Sequence, residues 1–221
     1  MGLLTAVTVL HLFENRYKEQ QEQFKQRLPE RCKELQQKYP TARIEVWSFD
    51  QHRLGLKPIW RRVWTPIGSR PIATVYHRYE WLYLYSYVHP QTGQTEWFII
   101  PRVNVQWFNL VLTSFAEALG AGQDKIVLLV LDRAGWHMSK KVILPEGIIL
   151  EPLPAYSPEL QPAERLWALA DEPLVNKSFD TLDDLEAVVA QRCQILAQMP
   201  SQIQALTNYY WWPNSDALKS E

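Results

Sequence analysis

The distribution of apolar residues along the chain predicts strands and helices in a mixed order. Residues 125–132, KIVLLVLD, form a continuous apolar run, which is typical of a strand buried on both faces of a sheet. Residues 42–50, ARIEVWSFD, predict a second strand that becomes apolar on both faces. Both stretches end in an aspartate. A shorter strand is predicted at 147–153, GIILEPL.

Further β-rich stretches predict an antiparallel meander between these strands. They cover residues 58–64, 72–88 and 95–100, which are rich in β-branched and aromatic side chains. Turn signals at 67–69 and 90–93 separate them. We therefore expect consecutive strands joined by short turns.

The N-terminal region has a charged, helix-prone pattern over residues 14–38. Pro29 interrupts it, so the pattern predicts either two short helices or one helix whose second segment begins at Pro29. A narrow apolar stripe at helical spacing indicates docking on the rest of the protein, and it comprises Phe24, Leu28, Cys32 and Leu35.

Three more helices are predicted after the meander. An amphipathic helix covers 104–119 and ends at Gly120, and a short helix begins at Pro162 and ends near residue 170. The last helix spans 181–198, and its Thr181 is a capping residue. The whole order predicts one mixed α/β domain in which a crossover places the 125–132 strand beside the 42–50 strand.

Composition narrows the class of protein only slightly. The 221 residues are 47% hydrophobic and 21% charged, with a net charge of −1, so overall charge does not indicate a partner. The two cysteines are far apart and form no metal-binding pair, which favours a reducing cytoplasm. The apolar runs are too short to span a bilayer, and no signal peptide is recognisable. We expect a cytoplasmic protein that is not embedded in a membrane.

The two strand-terminal aspartates are the first candidates for chemistry. If both strands are central, Asp50 and Asp132 emerge side by side at the edge where sites form in open α/β sheets. Glu164 lies in the first turn of the helix that Pro162 begins, and it can add a third carboxylate. Such oxygen ligands suit Mg²⁺. From the residues alone, turn or helix-capping roles for all three stay open.

Three segments resemble a known family. FDQHRLGL at 49–56, VLDRAGWHMSK at 130–140 and LPAYSPELQPAERLW at 153–167 are similar to motifs of bacterial insertion-sequence transposases related to the mariner group. The family patterns read approximately D-E-x-G, D-N-A-x-x-H and L-P-P-Y-S-P-x-L-N-P-I-E-x-x-W. The resemblance covers about residues 17 to 213. It implies an RNase H-like fold, a mixed sheet with an antiparallel meander that is flanked by helices.

The resemblance also implies which residues act. Asp50, Asp132 and Glu164 correspond to a catalytic triad that binds two Mg²⁺ ions, for which Mn²⁺ can substitute. His137 matches the family histidine and is expected to orient a scissile phosphate or a water. The chain departs from the family pattern at Gln51, Arg133 and Gln161. None of these differences removes a triad carboxylate.

A basic stretch follows the first motif and predicts a path for DNA. It contains five cations and no acid between Gln51 and Pro71, and it alternates with tryptophans. A solvated hairpin face is the alternative interpretation. The cations of the stretch are Arg53, Lys57, Arg61, Arg62 and Arg70, and further candidate DNA contacts are Arg133, Lys140 and Arg165.

The resemblance divides the chain into an N-terminal helical segment (1–40), a catalytic domain (41–213) and a C-terminal tail (214–221). It implies a transposase core, without the usual preceding helix-turn-helix region, that cleaves and transfers strands of double-stranded DNA at element ends and targets. A homodimer near the nucleoid and no organic cofactor are expected. The alternatives are a stand-alone RNase H-like nuclease, a truncated remnant that binds DNA without cutting it, and a structural α/β module.

Overall fold

The computed structural model describes residues 6–68 and 78–214, with side chains from residue 17 onward. Within this part of the chain, the five strands of one sheet are β1 (Arg43–Gly55), β2 (Trp81–His89), β3 (Gln94–Ile100), β4 (Lys125–Leu131) and β5 (Ile148–Pro152). Their order across the sheet is β3-β2-β1-β4-β5. The first three strands form an antiparallel meander, and β4 and β5 run parallel to β1. The predicted mixed sheet is confirmed.

The helices lie on both faces of this sheet. They are α1 (Ala6–Lys38), α2 (Val105–Leu119), α3 (Trp167–Ala170), α4 (Leu182–Ala197) and α5 (Pro200–Thr207), with 3-10 turns at Pro158–Leu160 and Pro162–Leu166. Among the described residues, no helix combines the length and the apolar character that crossing a membrane requires.

Local capping signals explain the ends of two helices. The Asn104 side chain accepts a hydrogen bond from the backbone N–H of Trp107 at the start of α2. Gly120 ends that helix in the left-handed region, with a φ of 64°, which favours glycine. At the start of α4, the Thr181 hydroxyl accepts from the backbone N–H of Asp184 at 3.1 Å. These predicted boundaries are confirmed.

The N-terminal pattern forms one helix that continues through Pro29. A proline inside a helix costs roughly 3 kcal/mol because it removes a hydrogen bond and crowds the preceding turn. The predicted apolar stripe extends to both sides of Pro29, and its four side chains are buried in contact with the sheet. Packing along this stripe offsets the local cost, and the helix contributes directly to the core.

The two faces of the sheet are covered differently. On one face, α2 packs over Trp47 and Phe49 of β1 and over alternate residues of β4. The other face is divided between two layers. The helix α1 covers the first half of β1 together with β4, whereas α3, α4 and α5 cover Leu54 and the β2 side. The 153–167 motif lies where these two layers meet.

Several predicted boundaries are corrected. The strand β1 does not end at Asp50 but continues to Gly55, because it keeps pairing with β2 after its pairing with β4 has ended. Residues 58–64 form no strand beyond an isolated bridge between Ile59 and Val175. The predicted helix from Pro162 begins as a 3-10 turn. The predicted β-rich positions 72–77, part of the 67–69 turn, and residues 215–221 of the predicted tail lie outside the described residues.

Candidate active site

The parallel ladder between β1 and β4 places Asp50 and Asp132 next to each other. Its last registered pair joins Ser48 to Val130, and each aspartate follows two positions later. Side chains alternate between the faces of a strand, so both aspartates project on the face of Ser48 and Val130. The expectation that these two carboxylates emerge side by side follows from this register.

A buried glutamine attaches the 153–167 motif to β1. The Gln161 amide donates to the backbone carbonyl of Phe49 at 2.7 Å and accepts a hydrogen bond from the Ser48 hydroxyl. The backbone N–H of Ala163 donates to the same hydroxyl at 3.3 Å. These contacts dock the Pro162–Leu166 turn beside Asp50. Glu164, the third candidate ligand, stands on that turn with an exposed side chain.

One open pocket unites the three candidate carboxylates. Its volume is about 460 Å³, and Asp50, Asp132 and Glu164 all line it, as does Arg133. Burial raises the pKa of Asp50 well above its usual value, and the adjoining carboxyl of Glu164 raises it further. A hydrogen bond from Trp167 opposes this rise. A buried acid beside a second acid favours a cation between them.

Asp132 has the opposite electrostatic environment. Burial acts to raise its pKa, but hydrogen bonds from His137 and from the Ala134 backbone N–H outweigh burial, so the pKa lies below its usual value. The contact between His137 Nδ1 and Asp132 Oδ1 measures 2.6 Å. The charged form of Asp132 is therefore stabilised even without a metal.

The contacts of His137 differ from those of a phosphate-orienting residue. The side chain is 1% exposed and packs against the rings of Phe49 and Phe108. Its Nε2 accepts a hydrogen bond from the Trp136 indole at 3.0 Å. Both nitrogens of this buried ring have protein partners, and the expected role in orienting a phosphate or a water stays a prediction. In the structure, His137 holds Asp132.

The donor chemistry fits a divalent cation, although the ligands do not converge on one point. Across the described residues, no three His, Cys, Asp or Glu side chains form a group that could hold a metal ion in their present positions. In a two-ion site, each ion is held by some of the carboxylates, and one carboxylate can be shared. All three carboxylates therefore need not bind the same ion. The carboxylate oxygens are suitable ligands for Mg²⁺ or Mn²⁺. The adjacency of Asp50 and Glu164 is an arrangement that such a cation would stabilise.

The predicted DNA-contacting residues occupy three places. Arg53 projects from β1 on the face opposite Asp50, with its guanidinium 5.3 Å from the ring centre of Trp81. An exposed loop follows the strand and carries Lys57, Arg61 and Arg62. Arg70 lies outside the described residues. The remaining candidates are exposed near the pocket or in adjoining segments, namely Arg133, Lys140 and Arg165.

The basic loop is attached to the body of the protein at one side. The backbone N–H of Arg61 donates to the Asn176 side chain at 3.0 Å, and the Asn176 N–H donates to the carbonyl of Ile59 at 2.9 Å. Beyond this attachment, Trp64 and Ile67 are fully exposed. Exposed aromatic and cationic side chains thus occur together on this loop.

Sequence reasoning missed the residues that support the aspartates. The Trp167 indole donates to Asp50 Oδ2 at 2.8 Å. Trp136 contacts His137 directly, and Gln161 docks the motif. Trp167 lies one helical turn after Glu164, and this spacing was the local signal that could have placed Trp167 near the site. Trp136 also contacts Gln51, and Gln161 contacts Phe49 and Ser48, and these partners are distant in sequence, so no local pattern identifies the contacts.

A family model and a sequence relative match this chain. A family model described as "DDE superfamily endonuclease" matches residues 45–186, which is more than half of the chain. An uncharacterized protein of Sinorhizobium fredii, y4pE/y4sA, is 29% identical over 132 residues, covering 59% of this chain and 96% of that protein.

Two solved structures share the fold at low sequence identity. The crystal structure of a pre-cleavage Mos1 transpososome has a TM-score of 0.54 at 15% identity, covering 87% of this chain and 64% of that chain. The Mos1 mariner paired end complex with Mn has a TM-score of 0.51 at 17% identity, covering 95% and 65%. The chain thus spans slightly less than two thirds of the length of either protein. The likeness establishes that the chain shares the RNase H-like fold of these structures.

Proposed function

The chain belongs to the DDE superfamily endonuclease family, and on that premise we propose that it is a transposase catalytic core that cleaves DNA and transfers the cut strand. The observation that carries the proposal is the pocket lined by Asp50, Asp132 and Glu164, each delivered by a different element of the RNase H-like fold. Three carboxylates in one open pocket suit metal-dependent phosphodiester chemistry better than turn or capping roles.

The pocket residues would have different roles in the reaction. Asp50, Asp132 and Glu164 would hold two divalent cations, Mg²⁺ or Mn²⁺. The bound cations would supply Lewis acidity and charge stabilisation for in-line attack by water and then by a DNA 3′-hydroxyl. Glu164, which is exposed, would also accept a proton from the attacking group. Arg133 lines the same pocket and would contact the DNA backbone.

The basic loop after β1 would extend the contact with double-stranded DNA. Lys57, Arg61 and Arg62 are exposed there together with Trp64. Cations neutralise backbone phosphates, and exposed aromatic rings can stack on unpaired bases. Arg53, near the C-terminal end of β1, would contribute a further cation to this surface.

The proposed partners are element ends, target DNA and a second copy of the chain. Support comes from the two Mos1 structures, a pre-cleavage transpososome and a mariner paired end complex. The metal proposal has similar support, because one of these complexes was determined with Mn.

A product assay tests the proposal. A supercoiled plasmid carrying the DNA segments that border the gene is incubated with the protein and Mg²⁺, and the products are separated on a denaturing gel. We expect nicks at the segment ends, then strand-joined products, and loss of both with Asp132→Asn. Full activity of this variant would contradict the proposed site.

The same assay separates the alternatives. Cleavage without strand joining identifies a stand-alone nuclease. Binding of the plasmid without turnover, equal with and without Mg²⁺, identifies an inactive DNA-binding remnant.

A further inference from the structure

We propose that Trp167 and His137 are positioning residues that each occupy one carboxylate oxygen of the paired aspartates, so that Asp50 and Asp132 each present a single oxygen to a cation. The inference rests on the proposed function, because it assigns these aspartates to a metal site. Neither aromatic residue contacts the reacting atoms in this proposal. Each acts through the aspartate that it holds.

The indole of Trp167 holds Asp50. Its Nε1–H donates to Asp50 Oδ2 at 2.8 Å, and the ring is buried. An indole N–H can only donate, so this bond requires an acceptor oxygen and defines the rotation of the carboxyl group. With Oδ2 engaged, the second oxygen of Asp50 is left for the cation.

A second pair of residues holds the indole in place. The His52 imidazole stacks on the Trp167 ring, with centroids 4.9 Å apart and planes inclined by 17°. His52 Nε2 is 2.9 Å from Asp171 Oδ1, and Asp171 directly follows α3. Because His52 is also on β1, two positions after Asp50, the strand that carries the ligand also carries part of its support.

His137 holds Asp132 by the same principle. The Trp136 indole N–H faces His137 Nε2 at 3.0 Å, so that nitrogen must be the acceptor. The proton of the neutral ring is then on Nδ1, which donates to Asp132 Oδ1 at 2.6 Å. The Ala134 backbone N–H donates to the same oxygen at 3.1 Å. Two donors on Oδ1 leave Oδ2 for the cation.

The residue that supports His137 also contacts the strand of Asp50. The Trp136 indole N–H, which faces His137, also lies 3.2 Å from Gln51 Oε1. Gln51 directly follows Asp50 on β1. These contacts therefore join the strand that carries Asp50 to the segment after β4, where His137 holds Asp132. Orienting partners of this kind typically change metal affinity by about 10–100-fold.

Metal binding without DNA tests the inference. Mn²⁺ binding to the full chain is measured by isothermal titration calorimetry for wild type, Asp50→Asn and Trp167→Phe. Trp47→Phe is the matched control, since Trp47 also donates its indole N–H to a carboxylate, Glu45 Oε2 at 2.9 Å, away from the pocket. We expect about 10-fold or greater loss of affinity for Trp167→Phe and wild-type affinity for Trp47→Phe.

A pair of variants tests the second aspartate independently. His137→Asn places an amide donor near the position of Nδ1, whereas His137→Phe keeps a ring but has no donor. We expect His137→Asn to retain more Mn²⁺ affinity than His137→Phe. Thermal unfolding without metal is measured for every variant, so that a loss of fold is recognised.

The outcomes distinguish this inference from the proposed function. If Asp50→Asn loses Mn²⁺ binding while folded Trp167→Phe and His137→Phe bind as wild type does, the positioning roles are wrong and the metal site stands. If Trp47→Phe loses as much affinity as Trp167→Phe, the effect is general destabilisation and the inference is again wrong. Absence of Mn²⁺ binding by wild type overturns both.

Discussion

The side chains of Asp50 and Glu164 are neighbours in one pocket, although Asp50 stands on a central strand and Glu164 on a short turn far along the chain. Burial and this neighbour both raise the pKa of Asp50. Asp132, in the same pocket, has a lowered pKa because His137 stabilises its charge. The two aspartates of one proposed metal site should therefore affect stability in opposite directions.

Asp50→Asn should stabilise the metal-free protein at neutral pH while abolishing metal binding. Asp50 has a folded pKa above its unfolded value, so its ionisation lowers stability progressively as pH rises through the unfolded pKa of about 3.9. The melting temperature of the variant should exceed that of wild type by a few degrees at pH 7, and the difference should vanish near pH 3. Thermal unfolding in EDTA measures both.

Asp132→Asn is the matched comparison for that experiment. The folded pKa of Asp132 lies below its unfolded value, so its contribution is present above the unfolded pKa and is lost as pH falls through the folded pKa. Its amide variant should melt below wild type at pH 7. Equal shifts for both variants would contradict the electrostatic assignment.

Gln161→Ala should detach the 153–167 motif from β1. The substitution removes the bond to the Phe49 carbonyl and leaves the buried Ser48 hydroxyl without its acceptor. Loss of such buried partners costs about 1–3 kcal/mol. We expect a lower denaturant midpoint and a plasmid-cleavage rate reduced at least 10-fold, because Glu164 is no longer held beside Asp50. Gln37→Ala, at an exposed site on α1, should change neither quantity.

Arg61→Ala and Arg62→Ala should each weaken DNA binding, and the loss of affinity should be similar for all DNA sequences. Each exposed guanidinium is assigned to a backbone phosphate, so each substitution should reduce the slope of log affinity against log salt by about 1. Fluorescence anisotropy with a labelled duplex at several salt concentrations measures this slope. Lys33→Ala, an exposed cation on α1, is the control, and an equal effect there would refute the assigned DNA path.

Gly93→Ala should destabilise the fold far more than Gly120→Ala. Both glycines have left-handed backbone, with φ of 72° and 64°, so both substitutions carry a similar conformational cost. A Cβ at position 93 would also lie 1.8 Å from the Pro200 carbonyl oxygen, whereas one at position 120 meets nothing within 4 Å in the described part of the chain. Chemical denaturation should show a difference of several kcal/mol, and similar midpoints would contradict the close approach of α5 to the β2–β3 turn.

Local sequence patterns were sufficient to predict the elements that depend on interactions between residues close together in the chain. The continuous apolar run predicted β4, the spacing of apolar residues and Gly120 predicted α2, and the capping residue Thr181 predicted where α4 begins. The 153–167 motif identified Glu164 as a candidate within one contiguous segment. These features depend on periodicity and on neighbours within one turn, and both can be read along the chain.

Contacts between residues far apart in the chain determined the features that local patterns did not predict. Asp50 lies inside β1 because β2 continues to pair with that strand beyond it, and no residue near Asp50 signals this. The hydrogen bonds from Trp167 and His137 to the aspartates, and the stacking of His52 on Trp167, bring together residues from separate layers of the fold. Amino-acid order alone supplied the carboxylates and their motifs. Their orientation, their unequal pKa values and the residues that hold them arise from burial and long-range contacts, which only the tertiary structure provides.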